Sequence, residues 1–319
     1  MSSEFDALYD IDCEAEVNRI SEFVRQSLVS PLKRRGVVIG LSGGIDSSTC
    51  TALCSRALGS ERVFVVLMPE RDSSEETLEI SRSVAEAFGV EYIYEDISGI
   101  LDSLGCYERQ NAAVRKAVPE FTKEWKFKIV LPPVDKGLRV FSVVAQSPDG
   151  EVIKKRLPHD AYLEVVAATN FKQRVRKMLE YYHADRLNYA VIGTPNLQEY
   201  DQGFFVKNGD GSADIKPIAH LYKTQVFSIA RHLGVPESVL NRPPTTDTYS
   251  LSQGQDEFYF SLPLKEMDIC LYGLNNGISD EAVCREANID GDKLKAVYRD
   301  IKQKRETSVY LHKPPLTLV

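Results

Sequence analysis

Apolar and polar positions alternate along this chain with two different periods. Val17, Ile20, Val24 and Leu28 recur at helical spacing, which predicts an amphipathic helix over about 14–30. Short apolar runs of strand length follow at 36–41 and 63–68, with helical patterns at 47–58 and about 74–88 between and after them. The second helix should stop at Gly89, and Val90-Glu91-Tyr92-Ile93-Tyr94 reads as a third strand. This β-α-β-α-β order predicts an α/β fold with a doubly wound parallel sheet and helices on both faces. Ligands in such sheets bind at the carboxyl ends of the strands.

The pattern changes between about 119 and 168. Trp125–Leu131 alternates like a strand, and Leu138–Gln146 and Glu151–Leu157 read as two more, joined by the turn Ser147-Pro148-Asp149-Gly150. This β-rich insert carries Lys136, Arg139, Lys154, Lys155 and Arg156. A solvated hairpin is the plainer reading; a flap that covers substrate or forms a dimer is the sharper one. Beyond it, a helix is expected at about 171–187, a buried strand at 189–193, and helices at about 223–233, 263–275 and 279–305. The end, His312-Lys313-Pro314-Pro315, reads as extended. The division expected is one domain over 1–319, with the insert inside it and a helical C-terminal part from about 255.

Composition narrows the class. With 43% hydrophobic and 27% charged residues, the chain reads as an ordinary soluble protein. A net charge of −7 argues against a general nucleic-acid binder. No apolar run is long enough to span a bilayer, and the acidic Met1–Asp6 lacks a signal-peptide core. The six cysteines form no Cys-x-x-Cys, so Cys50 and Cys54 read as core residues on one helical face. The expected setting is the reducing cytoplasm.

The densest chemistry lies in Gly40-Leu41-Ser42-Gly43-Gly44-Ile45-Asp46-Ser47-Ser48, between a strand and a helix. Small residues let backbone approach a ligand, and the helix N-terminus points N–H groups and its positive dipole end at one spot. That suits a phosphate. Asp46 would repel one, unless Mg²⁺ lies between them. The loop lacks the Lys of the Gly-x4-Gly-Lys-Ser/Thr type. It resembles the pyrophosphate loop of the ATP pyrophosphatases, which adenylate an oxygen of their substrate and release pyrophosphate.

A second constellation follows strand 189–193: Gly193-Thr194-Pro195-Asn196-Leu197-Gln198-Glu199, then Gly203–Asp214, Leu221–Val226 and Pro244–Asp247. Met68-Pro69 with Ser73-Ser74-Glu75, Asn170–Arg176 and Tyr181–Ala184 complete it. In this order and spacing the chain resembles the NAD synthetase family, the ATP-dependent ligases that amidate nicotinic acid adenine dinucleotide (deamido-NAD). The resemblance implies that Asp46 and Glu199 hold Mg²⁺ and that Lys223, with Asp46, serves the reaction. The Gly40–Ser48 loop, Met68, Thr194, Lys223 and Thr245 would contact ATP. Arg174, Lys207 and Asp214 would bind the dinucleotide, with His312 and Lys313 closing over it. Phe204 and Phe205 either pack in the core or stack on a ring.

Only about 36 residues precede the first strand, too few for the N-terminal glutaminase domain of some family members. Free ammonia is therefore the expected nitrogen donor, with a separate glutaminase partner as the fallback. The family resemblance also implies a homodimer. The insert leaves one alternative open, the same chemistry on another carboxylate, such as a sugar acid or a biosynthetic acid.

Overall fold

A computed structural model describes residues 4–132, 140–242, 248–254, 259–260 and 262–318. The chain opens with α1 (Asp6–Tyr9) and the amphipathic α2 (Cys13–Ser27), whose first turn is capped by Asp12 Oδ1 on the Ala15 N–H at 3.0 Å. Val17, Ile20, Val24 and Leu28 are all buried, as their spacing predicts, but Leu28 belongs to a π-helical turn, Leu28–Leu32, that contains Pro31.

The chain then builds a parallel sheet. β1 (Val37–Gly40), α3 (Ile45–Leu58), β2 (Val63–Leu67), α4 (Glu75–Ala87) and β3 (Glu91–Tyr94) follow the order read from the sequence. After α5 (Ser98–Ser103) and α6 (Cys106–Arg115), two helices the periodicity did not reveal, the chain enters the insert. β7 (Ala190–Val191) later joins β1, giving the strand order β3-β2-β1-β7, with parallel pairing throughout.

Strand side chains divide the core by alternation. Val37, Ile39, Val63, Val65 and Leu67 pack with α2, α3 and later α9 (Lys223–His232) on one face. Val38, Phe64, Val66 and Val191 pack with α6 and α7 (His159–Leu187) on the other. Both faces of β1 and β2 are covered, so these strands read as unbroken apolar runs. The sheet's edge strand β3 is more exposed.

The insert forms its own antiparallel sheet, β4 (Lys126–Val130), β5 (Ser142–Gln146) and β6 (Val152–Arg156), in the order β4-β5-β6. It is more than a solvated hairpin. Phe121, Phe127, Ile129, Val143, Ala145 and Leu157 bury one face against Ala161 and Val165 of α7. Lys154, Lys155 and Arg156 are exposed, while Lys136 and Arg139 lie outside the described residues. The helix expected at about 171–187 begins twelve residues earlier, at His159. Its first turns pack on the insert sheet, a tertiary context that local periodicity does not reveal.

The C-terminal part follows α8 (Leu197–Gln202), α9 and α10 (Glu237–Leu240). It consists of α11 (Leu264–Asn276), α12 (Asp280–Ala287) and α13 (Gly291–His312). The single helical pattern at 279–305 is two helices. Asn288 adopts φ 52° and ends α12, and Asp290 caps α13 through the Lys293 N–H. α13 also runs through His312, where the sequence predicts an extended end. These helices share a core with Phe5 and Leu8 of the N-terminus.

Candidate active site

A cavity of about 680 Å³ opens at the carboxyl end of β1 and β2, where a doubly wound sheet places its ligand. Gly40–Ser47, Met68, Thr194, Glu199 and Lys223 line it, together with Arg174 and Lys207. Regions far apart in sequence therefore meet around one space.

The Gly40–Ser48 loop is held by its own hydroxyls. Ser47 Oγ accepts the Ser42 N–H at 3.3 Å and donates to the Gly44 carbonyl at 3.1 Å. Gly43 has φ 70°, and a Cβ there would also crowd Ser81 Oγ and the Thr77 carbonyl at 3.0 Å. At Gly40 a Cβ would stand 2.6 Å from Glu180 Oε1. Gly44 begins α3 without a side-chain cap, so the first-turn N–H groups are directed to whatever enters the loop. Ser48 is fully buried in α3 and does not line the cavity.

Charge is organised around Asp46. The Lys223 ammonium, almost wholly buried at the start of α9, donates to Asp46 Oδ2. Burial works against this ammonium, but the charges of Asp46, Glu199 and Asp268 outweigh it and raise the Lys223 pKa. Asn196 links the two expected metal ligands. Its amide donates to Asp46 Oδ1 at 3.2 Å, while its Oδ1 and backbone N–H form a reciprocal capping box with Glu199. Two carboxylates fit Mg²⁺ by donor chemistry, since that ion takes one or two carboxylates and completes its shell with phosphate and water. Among the described residues no group of three or more His, Cys, Asp or Glu side chains is placed to hold a metal.

Arg174 and Lys207 meet on the second side of the cavity, where Arg174 Nε donates to the Lys207 carbonyl at 3.4 Å. Lys207 Nζ donates to the carbonyls of Tyr310 at 2.8 Å and Lys313 at 3.2 Å, which fastens the chain end beside it. His312 packs its ring edge-on against Tyr200 and Phe205; neither it nor Lys313 lines the cavity. Asp214 also sits off the cavity wall, and its Oδ2 accepts the Val191 N–H at 2.8 Å. Thr245 lies outside the described residues. Phe204 stacks on Tyr259 at 4.7 Å, yet both it and Phe205 reach the cavity wall, so packing and lining coexist.

Sequence reading missed several groups. Asp268 is fully buried in α11 and accepts from the Lys223 and Thr224 N–H groups and from Gln198, capping α9 and so aiming Lys223. Burial raises its pKa despite those bonds. Its signal was a carboxylate inside the apolar run Met267–Leu271. Lys177 and Glu180 form a buried pair at 2.6 Å on the cavity floor. Arg176 Nε donates to the Met68 carbonyl at 3.2 Å and so fixes the end of β2. Beside it, Lys172 is buried against Glu70 at 2.7 Å and Asp72 at 2.9 Å, and bonds the Thr248 carbonyl at 3.0 Å. The Lys172 bonds hold the loop after β2 to the segment that follows residue 247.

Comparison with known proteins agrees with this geometry. The family described as NAD synthase matches residues 16–123 and 142–310. An NH(3)-dependent NAD(+) synthetase of Rhizobium meliloti (strain 1021) is 56% identical over 307 residues, covering 96% of this chain and 92% of the relative. One from Thermotoga maritima is 37% identical over 268 residues, covering 81% and 90%. In solved structures, the same fold appears in the NH3-dependent NAD synthetase from Campylobacter jejuni, with TM-score 0.64, 24% identity and coverage of 97% and 100%. It appears too in the NMN synthetase from Francisella tularensis, with TM-score 0.67, 21% identity and coverage of 97% and 99%. By these matches the chain is a ligase-type enzyme that belongs to the NAD synthase family.

Proposed function

We propose that this protein amidates nicotinic acid adenine dinucleotide to NAD, with ATP as co-substrate and ammonia as nitrogen donor. The observation that carries this reading is the meeting of the Gly40–Ser48 loop, the Lys223–Asp46 pair and the Arg174–Lys207 side in one cavity. ATP would lay its phosphates in the loop, facing the α3 N-terminus, with its base against the end of β2 at Met68. Asp46 and Glu199 would hold Mg²⁺, which when bound neutralises phosphate charge between them and the nucleotide.

The chemistry then balances in two displacements. A carboxylate oxygen of the nicotinate attacks the α-phosphorus; the new O–P bond forms as the bond to pyrophosphate breaks. Ammonia next attacks the acyl carbon, loses a proton, and expels AMP as the C–O bond breaks. The Lys223 ammonium stays charged because Asp46 faces it, and it stabilises the negative charge that grows on the departing phosphates. Arg174 and Lys207 would hold the dinucleotide so that its carboxylate meets the α-phosphate.

Asp214, His312 and Lys313 belong to this proposal as outer supports of the dinucleotide side. Val191, whose N–H Asp214 accepts, and Lys207, fastened to the chain end, carry their effect inward. Thr194, on the cavity wall, and Thr245 are assigned to ATP. A homodimer in the cytoplasm completes the reading, with a separate glutaminase as the other source of ammonia. No helix among the described residues is long and apolar enough to cross a membrane.

The test supplies purified protein with MgATP, ammonium and a panel of acids: the dinucleotide, a sugar acid and a biosynthetic acid. NAD formed in step with AMP is the expected result. Pyrophosphate release with another acid, and none with the dinucleotide, overturns it.

A further inference from the structure

The insert reaches the cavity through an aromatic pair. Phe141, beside the start of β5, and Tyr162, in the first turns of α7, stack with centroids 4.1 Å apart and planes 13° from parallel. Both line the cavity. Tyr162 heads a stripe on α7, continued by Val166, Thr169, Gln173, Lys177 and Glu180 at steps of three or four residues, all on the cavity wall. The far end of that stripe touches the phosphate loop, because Glu180 abuts Gly40. Tyr162 therefore stands eighteen residues along the helix from the loop, roughly 27 Å at 1.5 Å per residue.

That distance separates the platform from ATP. In the proposed pose, a triphosphate seated in the loop would turn its base toward Met68, Ser73 and Thr77, which line the β2 side of the same cavity. A dinucleotide must extend away from its reacting carboxylate and carries a flat ring at each end. A stacked aromatic pair offers such a ring a broad polarisable face. The pair is also firmly held. The Phe141 carbonyl accepts the Leu157 N–H at 2.9 Å, the Tyr162 N–H donates to the Pro158 carbonyl at 2.9 Å, and the insert core lies beneath. Phe141 comes from the insert and Tyr162 from the first turns of α7, so the insert supplies half of the platform.

We propose that Phe141 and Tyr162 form a stacking subsite for a planar ring of the dinucleotide substrate, and that supplying half of it is a function of the insert. The proposal rests on the NAD-forming reading above. Stacking of a base on an aromatic side chain strengthens binding by about tenfold. The test is steady-state kinetics of Phe141→Leu, Tyr162→Leu and Phe141→Trp in the full chain. Each leucine variant should raise the dinucleotide KM about tenfold and leave the MgATP KM within about twofold, while Phe141→Trp stays near wild type. Nicotinic acid mononucleotide as the acid distinguishes the ends. A penalty confined to the dinucleotide places its adenine on the platform, and the same penalty with the mononucleotide, whose nicotinate must react at the loop, overturns the subsite. Unchanged dinucleotide KM in both leucine variants, a parallel rise in both KM values, or a Phe141→Trp as impaired as Phe141→Leu overturns the subsite and leaves the NAD-forming reading standing. A wild-type protein that makes no NAD overturns that reading, and the subsite with it.

Discussion

Lys223 and Asp46 form an ion pair across the cleft, linking the first turn of α9 to the first turn of α3. Each resolves the other's difficulty. Lys223 is buried and needs a counter-charge, and Asp46 would otherwise present bare negative charge to a phosphate site.

Breaking the pair from either side should therefore cost turnover more than folding. Asp46→Asn should fold but melt earlier, because Lys223 loses its nearest counter-charge, and should lose at least about a hundredfold in kcat because the site loses a charged oxygen ligand. Lys223→Met should lose as much in kcat and melt earlier as well, since Asp46 keeps its charge without its partner. Near-normal kcat in a folded Asp46→Asn contradicts the role given to it.

Gly40→Ala tests the loop's close approach to α7. The new Cβ would stand 2.6 Å from Glu180 Oε1, and Glu180 is held by Lys177. We expect the MgATP KM to rise about tenfold or more as the loop shifts. A wild-type MgATP KM would show that the loop and Glu180 separate freely.

How far this arrangement was legible follows from what each residue depends on. The loop could be read because strand, small residues and helix are contiguous. Val17, Ile20, Val24 and Leu28 could be read because one helix face has a fixed period, and all four are buried. Asp268 could not be read as the cap of α9, because 45 residues separate it from Lys223. The early start of α7 at His159 depends on the insert sheet beneath it. At Asp214 the motif implies a place on the dinucleotide side, and only the fold reveals that its carboxylate also hydrogen-bonds the β7 backbone.

Lys172 should be a stability determinant. Its ammonium is buried with two carboxylates, Glu70 and Asp72, and Glu70 also accepts the Tyr107 hydroxyl at 2.8 Å. Lys172→Met leaves Glu70 buried and uncompensated, a loss of about 3–5 kcal/mol. Adding Glu70→Gln should recover part of that loss in chemical denaturation. A single variant as stable as wild type contradicts the pairing.

The cysteines should behave as packing residues. Burial pushes the Cys54 and Cys270 thiols up to about 12 and Cys106 up to about 11, and raises Cys50 well above its ordinary value. The native protein near pH 8 should react with a thiol reagent only at the half-buried Cys13 and Cys284, and at all six after unfolding. Rapid labelling of Cys50 or Cys54 in the native protein contradicts the packing around the loop helix.

The most direct measurement of the central claim uses nicotinic acid adenine dinucleotide carrying ¹⁸O in its carboxylate. Turnover with MgATP and ammonia, followed by mass spectrometry of the products, reports where the oxygen goes. One ¹⁸O in the phosphate of AMP, with none in pyrophosphate, is the result an acyl adenylate requires. Label in inorganic phosphate, or AMP formed without label while NAD accumulates, contradicts it.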